Sequence, residues 1–208
     1  GVEAAVKTLA DQVANKADPK AVAETAKATK EKLLAAYNIV PYPRHLPSLA
    51  SGKKIYDDNC AQCHGATGKG DGSGRESMKP KTPLPANFTD PDRIGGLSPF
   101  KVFNTASFGI EGTAMASFAA LSEEQRWQVA FYVFSLRFSD EAAKTGAQLV
   151  KAKGLPSELQ TVATLATSAD EVLLHRLEER TKDEPQVLAE LAYLRRGMLQ
   201  AALADPLA

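Results

Sequence analysis

Both cysteines of the 208-residue chain fall in one short stretch, Asn59 to Gly70, NCAQCHGATGKG, and one of its three histidines directly follows the second. Two residues separate the sulfurs, so Cys60, Cys63 and His64 share about one turn of backbone. Whatever engages all three must dictate the local fold.

Three chemistries use cysteines at this spacing. A thioredoxin-like dithiol needs the pair at a helix N-terminus after a strand and has no use for the adjoining histidine. A zinc site needs four ligands. The other histidines lie in a proline-rich run (His45) and far down the chain (His175). The third chemistry is covalent haem attachment, with thioethers from Cys60 and Cys63 and an axial nitrogen from His64. A chain that uses cysteine nowhere else favours this reading, with one haem c.

Haem iron of the electron-transfer kind often takes methionine as its sixth ligand. Only Met78, Met115 and Met198 are available. Met115 sits in GIEGTAMASFAAL, a glycine-rich, small-residue segment suited to extended backbone against a flat ligand. Met78 lies in the charged loop GRESMKPKTP and is the reserve. Met198 falls in the last helix, where methionine ordinarily fills core gaps. The expected ligand pair is His64 and Met115.

The chain reads as four segments: residues 1–40, helical; 41–47, a proline-rich linker; 48–138, the haem block; and 139–208, helical again. In the first, Val2, Val6, Leu9 and Val13 recur at helical spacing. Asp18 is placed to cap a second helix that begins at Pro19 and has Val22, Ala26, Leu33 and Tyr37 on its apolar side. IVPYPRHLP forbids a continuous helix, and His45 reads there as an exposed linker residue. A helix from about Ser48 should deliver Cys60 at its end. The glycines of GATGKGDGSG allow turns and close approach to the haem. Ser122 and Gln125 form a capping box for a helix whose Trp127, Val129, Phe131, Tyr132 and Phe134 exceed what one packed face needs. The last segment should cover the surplus. There, Ser168 and Glu171 read as another capping box, and Asp183 caps a helix with Val187, Leu188, Leu191, Leu194 and Met198 as its stripe. His175 reads as surface.

SGKKIYDDNCAQCHGATGKGDG, with GTAMASF and LSEEQRWQVAFYVFSL after it, resembles a class I cytochrome c. That resemblance covers about Pro47 to Phe138. It implies an all-α domain with helical extensions on both sides, in which first and last helices cross with Gly52 and Tyr56 meeting Tyr132. It also implies a proline carbonyl on the other imidazole nitrogen; Pro80, Pro83 and Pro85 are the candidates. The run PANFTDPDRIGGLSPFKVFNTASFGIEGTAMASFAALSEEQRW is similar to cytochrome domains attached to bacterial oxidase-dependent iron permeases. This finer likeness implies a periplasmic domain, tethered to the inner membrane through a permease region absent here, that accepts electrons from ferrous iron. The partner is then the permease membrane domain or another redox protein. A diffusible respiratory carrier is the alternative.

Composition sets outer limits. Lysine plus arginine equals aspartate plus glutamate at 25 each, giving no electrostatic reason to invoke nucleic acid or an anionic membrane. The longest apolar run, VAFYVFSL, falls far short of the roughly twenty residues of a membrane span. The start GVEAAVK reads as a processed or excised fragment. No nucleophile–base pair or phosphate loop is visible, so enzyme status stays open. Carboxylates at Asp57, Asp58, Asp71, Glu76, Asp90, Asp92 and Glu111 could bind iron in principle, but spacing singles out none.

Overall fold

A computed structural model describes residues 1–200. Its regular structure is helical throughout those residues, and no helix among them is long and apolar enough to cross a membrane. Contacts divide the chain into two units, Gly1–Pro41 and the remainder from Tyr42.

The first unit is a hairpin of α1 (Val2–Ala14) and α2 (Pro19–Ala36). The Asp18 carboxylate accepts from the amides of Lys20 and Ala21, and Pro19 occupies the first helical position, where its missing N–H has no consequence. Burial is slight: no residue of α1 is buried, and Thr29 alone is buried in α2. Val6 and Val13 are exposed, as is Tyr37, which follows the end of α2 instead of extending its stripe.

The second unit is built around α7 (Glu123–Ser135). The capping box forms as its sequence requires: Gln125 N donates to Ser122 Oγ, and Ser122 N donates to Gln125 Oε1. Beyond its first turn α7 is apolar nearly all round, with Val129 to Ser135 buried without interruption. Such a helix needs neighbours on every side. One is α3 (Leu49–Asn59), capped by Ser48. A Cβ at Gly52 would lie 2.8 Å from that of Tyr132, so glycine permits the helices to touch. The rings of Tyr56 and Tyr132 are 5.3 Å apart at the crossing. Between them in sequence come the short α4 (Ala61–His64), the short α5 (Pro91–Ile94) and α6 (Pro99–Phe108). Phe103 of α6 stacks on Trp127 at 4.2 Å.

The C-terminal helices close the other side. These are α8 (Asp140–Lys153), α9 (Val162–Thr167), α10 (Asp170–Glu178) and α11 (Glu184–Ala192), which runs on through a π-helical turn at Tyr193–Gly197. Their leucines at 165, 173, 177, 191 and 194 are fully buried and join the same core as α3 and α7. Asp170, itself fully buried, accepts from Arg137 at 2.5 Å and from Arg195 Nε at 2.6 Å. Arg195 also donates to the carbonyls of Leu165 and Ser168, and its guanidinium lies over Phe134. Burial pulls the Arg195 guanidinium below the ordinary arginine range, against the attraction of Asp170. A second ion pair joins Arg180 to the buried Glu190.

Two local expectations fail here. Ser168 does not cap α10, whose N-cap is Ala169 without a side-chain bond; Ser168 instead ends α9 and its carbonyl serves Arg195. Leu188 is exposed, while Val187, Leu191 and Leu194 face the core as expected.

Candidate haem-attachment site

The last turn of α3 hands the chain to α4 through Cys60, which ends one helix and begins the other. The amides of Cys63 and His64 both donate to the Cys60 carbonyl, at 3.1 and 2.9 Å. Both cysteines are free and half-buried. Burial, and then the neighbouring sulfur, pushes the Cys60 thiol up to about 12. The unmodified Cys60 is therefore a neutral thiol. Below the pair, the buried Tyr56 hydroxyl donates to the Gly65 carbonyl at 2.8 Å and fixes the chain just past His64.

His64 is oriented by a different loop. Its Nδ1–H donates to the carbonyl of Ala86 at 3.1 Å, and Phe88 stacks on the ring at 4.5 Å with planes 20° apart. The acceptor is thus Ala86, not one of the three prolines; the proline run delivers the chain but the carbonyl beyond it makes the bond. Phe88 N donates to the Gly68 carbonyl at 2.6 Å, pinning this loop to the glycine loop after His64. Burial lowers the His64 pKa, opposed by the Ala86 bond, so the imidazole is neutral with Nε2 free as a lone-pair donor.

Met115 is half-buried in a loop tied to the end of α6. Its carbonyl accepts from Ile110 N at 2.9 Å, its amide donates to Thr113 Oγ1 at 3.1 Å, and Phe118 N donates to the Ala106 carbonyl at 2.8 Å. The corner depends on Gly109, whose φ of 70° lies in the left-handed region and whose Cβ position is filled by Met115 O and the next peptide. Met78, also half-buried, follows a 3₁₀ turn at Ser73–Ser77 and is held by one long amide bond to Arg75. Met198 packs against the hydrophobic core.

The remaining sequence candidates do not gather. Asp57 and Asp58 pair with Lys53 and Lys54 on the α3 surface, and Asp90 caps α5. No group of three or more His, Cys, Asp or Glu side chains among the described residues could hold a metal ion. His175 is exposed 3.6 Å from Glu179. Sequence reasoning missed Ala86 and Phe88. The one local clue was Asn87, whose side-chain oxygen accepts from Thr89 N and marks a turn at this point.

Two half-buried thiols in one turn, followed by a neutral imidazole tethered through Nδ1, fit a covalently held haem c. Residues 49–137 match the Cytochrome c family model. This segment is a class I cytochrome c domain. The chain is also similar to thiosulfate dehydrogenase of Stutzerimonas stutzeri (strain A1501), at 31% identity over 48% of this chain and 31% of that protein. Thiosulfate dehydrogenase of Thiomonas intermedia (strain K12) is 28% identical over 47% of this chain and 29% of that protein. The chain thus spans about a third of the length of these relatives. Among solved structures, the Kuenenia stuttgartiensis reducing HAO-like protein complex aligns over 76% of this chain and 98% of that chain, at 16% identity and a TM-score of 0.37. A cytochrome c domain implies covalent haem c and electron transfer.

Proposed function

We propose that the cytochrome c domain is a periplasmic one-electron relay in which Cys60 and Cys63 hold the haem and His64 and Met115 are the axial ligands. The observation that carries this reading is the tethered imidazole: the Ala86 carbonyl and the Phe88 ring fix His64 while its Nε2 stays available. Bound haem c supplies the one-electron iron couple. The protein residues orient and insulate it. His64 held by a carbonyl acceptor is a more basic ligand than a free imidazole. Met115, on backbone fixed at both its amide and its carbonyl, is better restrained than Met78. A restrained ligand keeps its geometry when the iron changes charge.

We favour a redox protein as the electron donor. The permease resemblance points instead to ferrous iron in iron uptake, and thiosulfate enters through the two relatives. Ferric ion prefers several hard oxygen donors, and among the described residues no three His, Cys, Asp or Glu side chains gather to supply them. In an iron-uptake arrangement the ion is therefore held by the permease.

Visible spectroscopy of Met115→Ala and Met78→Ala tests the ligand. Met115→Ala should abolish the methionine-sulfur charge-transfer band and admit carbon monoxide, with Met78→Ala unchanged. The reverse pattern makes Met78 the ligand. Anaerobic stopped-flow mixing of oxidised protein with ferrous iron, thiosulfate or a reduced carrier protein tests the donor. Fast reduction by the carrier alone is expected, and rapid reduction by ferrous iron restores the iron-uptake reading.

A further inference from the structure

The segment that carries Met115 is fastened to α6 through carbonyls that the helix itself cannot use. The last carbonyls of a helix have no partner within it. At the end of α6, that of Thr105 accepts from the capping Gly109 amide at 2.8 Å. Those of Ala106 and Ser107 are reached from beyond Met115. Phe118 N donates to Ala106 O at 2.8 Å, and Ser117 Oγ donates to Ser107 O at 2.7 Å. Both acceptors belong to buried residues, where a lost donor leaves a costly unpaired carbonyl.

Ser117 makes its tie with a side chain. Its Oγ also accepts from Ala119 N at 3.2 Å, which occupies a lone pair and leaves the proton for Ser107. Little chain separates this tie from the ligand. Met115 O, Ala116 C and Ser117 N lie 2.6, 2.9 and 2.9 Å from where a Gly109 Cβ would be, so residues 115–117 rest directly on the Gly109 turn. Thr113, on the other side of Met115, donates to Ile110 O and accepts from Met115 N. Both of its partners are in the loop, so Thr113 shapes the loop and Ser117 fastens it. We propose that Ser117 is a positioning residue for the sixth iron ligand: its hydroxyl latches the Met115 segment to the end of α6 and sets how firmly that methionine holds its place against a competing ligand. This role rests on Met115 being the sixth ligand.

Imidazole titration of the oxidised holoprotein, followed at the methionine-sulfur charge-transfer band, measures that competition. Amide hydrogen exchange at Ile110 and Phe118 reports on the loop separately. Ser117→Ala should bind imidazole roughly two- to tenfold more tightly than wild type, the fold-change of one net hydrogen bond, and both amides should exchange faster. Ser117→Thr, which keeps a hydroxyl, should restore wild-type values. Ser107→Ala should also match wild type, because it removes a hydroxyl bonded to Phe103 O within α6 and keeps the carbonyl that Ser117 uses. Faster exchange in Ser117→Ala with unchanged imidazole affinity would mean that Ser117 holds the loop without positioning the ligand, and overturns the proposal. An equal gain in imidazole affinity in Ser107→Ala assigns the effect to the helix end and overturns it too. A band that survives Met115→Ala removes the ligand assignment and the latch with it. Loss of the band in Met115→Ala, with wild-type behaviour of Ser117→Ala, overturns the latch alone.

Discussion

The two sides of α7 are held by different kinds of bond. On the α3 side, contact is close and uncharged, with Gly52 against Tyr132 and the Gln128 backbone and with Tyr56 beside it. The attachment turn then depends on single hydrogen bonds from backbone and from Tyr56. On the C-terminal side, buried charge does the joining: Asp170 lies between two guanidiniums, one on the chain just after α7 and one in the π-helical turn. Apolar contact tolerates small change by repacking, whereas a buried charge stripped of its partner has no such recourse. The haem-bearing side is therefore the more forgiving of the two, and the C-terminal brace the more brittle.

Asp170→Ala tests that difference most severely. It leaves Arg137 and Arg195 facing each other in the interior, where loss of one partner costs about 3–5 kcal/mol. Urea unfolding followed at the haem band should show an unfolding free energy lowered by that amount, with a correspondingly lower midpoint. A loss below about 1 kcal/mol would mean that the brace is solvated and the comparison is wrong.

Gly52→Ala attacks the other side. The new methyl meets Tyr132 Cβ and the backbone of the same helix turn, and overpacking of this kind costs about 1–3 kcal/mol. Alanine returns part of that, since it favours a helix by up to about 1 kcal/mol over glycine. The net loss should be smaller than for Asp170→Ala. A larger one would place the weak joint at the haem side.

The contrast also explains what the sequence disclosed. Cys60, Cys63 and His64 are legible because the ligand they share demands local spacing, and Ser122 with Gln125 because a helix start is a local problem. Asp18 with Pro19 is the same case. The brace is illegible because Arg137, Asp170 and Arg195 are tens of residues apart, and each alone looks like a surface charge. It also undoes a local signal. Ser168 and Glu171 have capping-box spacing, but the Ser168 carbonyl is drawn to Arg195 and Asp170 is turned inward. The His64 acceptor lies between these extremes. Its neighbourhood was readable from the proline run, but the choice of Ala86 over three proline carbonyls depends on how Phe88 seats against the imidazole.

The smallest effect sharpens the comparison, because it comes from the exposed rim of the same brace. Asp140, in the first turn of α8, accepts from Arg196 Nε at 2.6 Å and from Gln200 Nε2 at 2.7 Å. The Arg196 hydrogen bond, then that of Gln200, then the Arg196 charge hold its carboxyl down at about 2, against an ordinary 3.8. A depressed folded value means that the unfolded chain takes up a proton first as acid is added. The contribution is thus complete above the ordinary value and is lost as pH falls from about 4 toward 2. Asp140 keeps 58% of its side chain exposed, so solvent screening limits the contribution to about 0.2–1 kcal/mol. Wild type should unfold at higher urea than Asp140→Asn at pH 6, by that small margin, and the margin should shrink progressively below pH 4. It should shrink in molar salt as well, where exposed pairs are screened. A margin as large as that of Asp170→Ala, or one indifferent to salt and pH, would mean that this pair belongs to the buried brace.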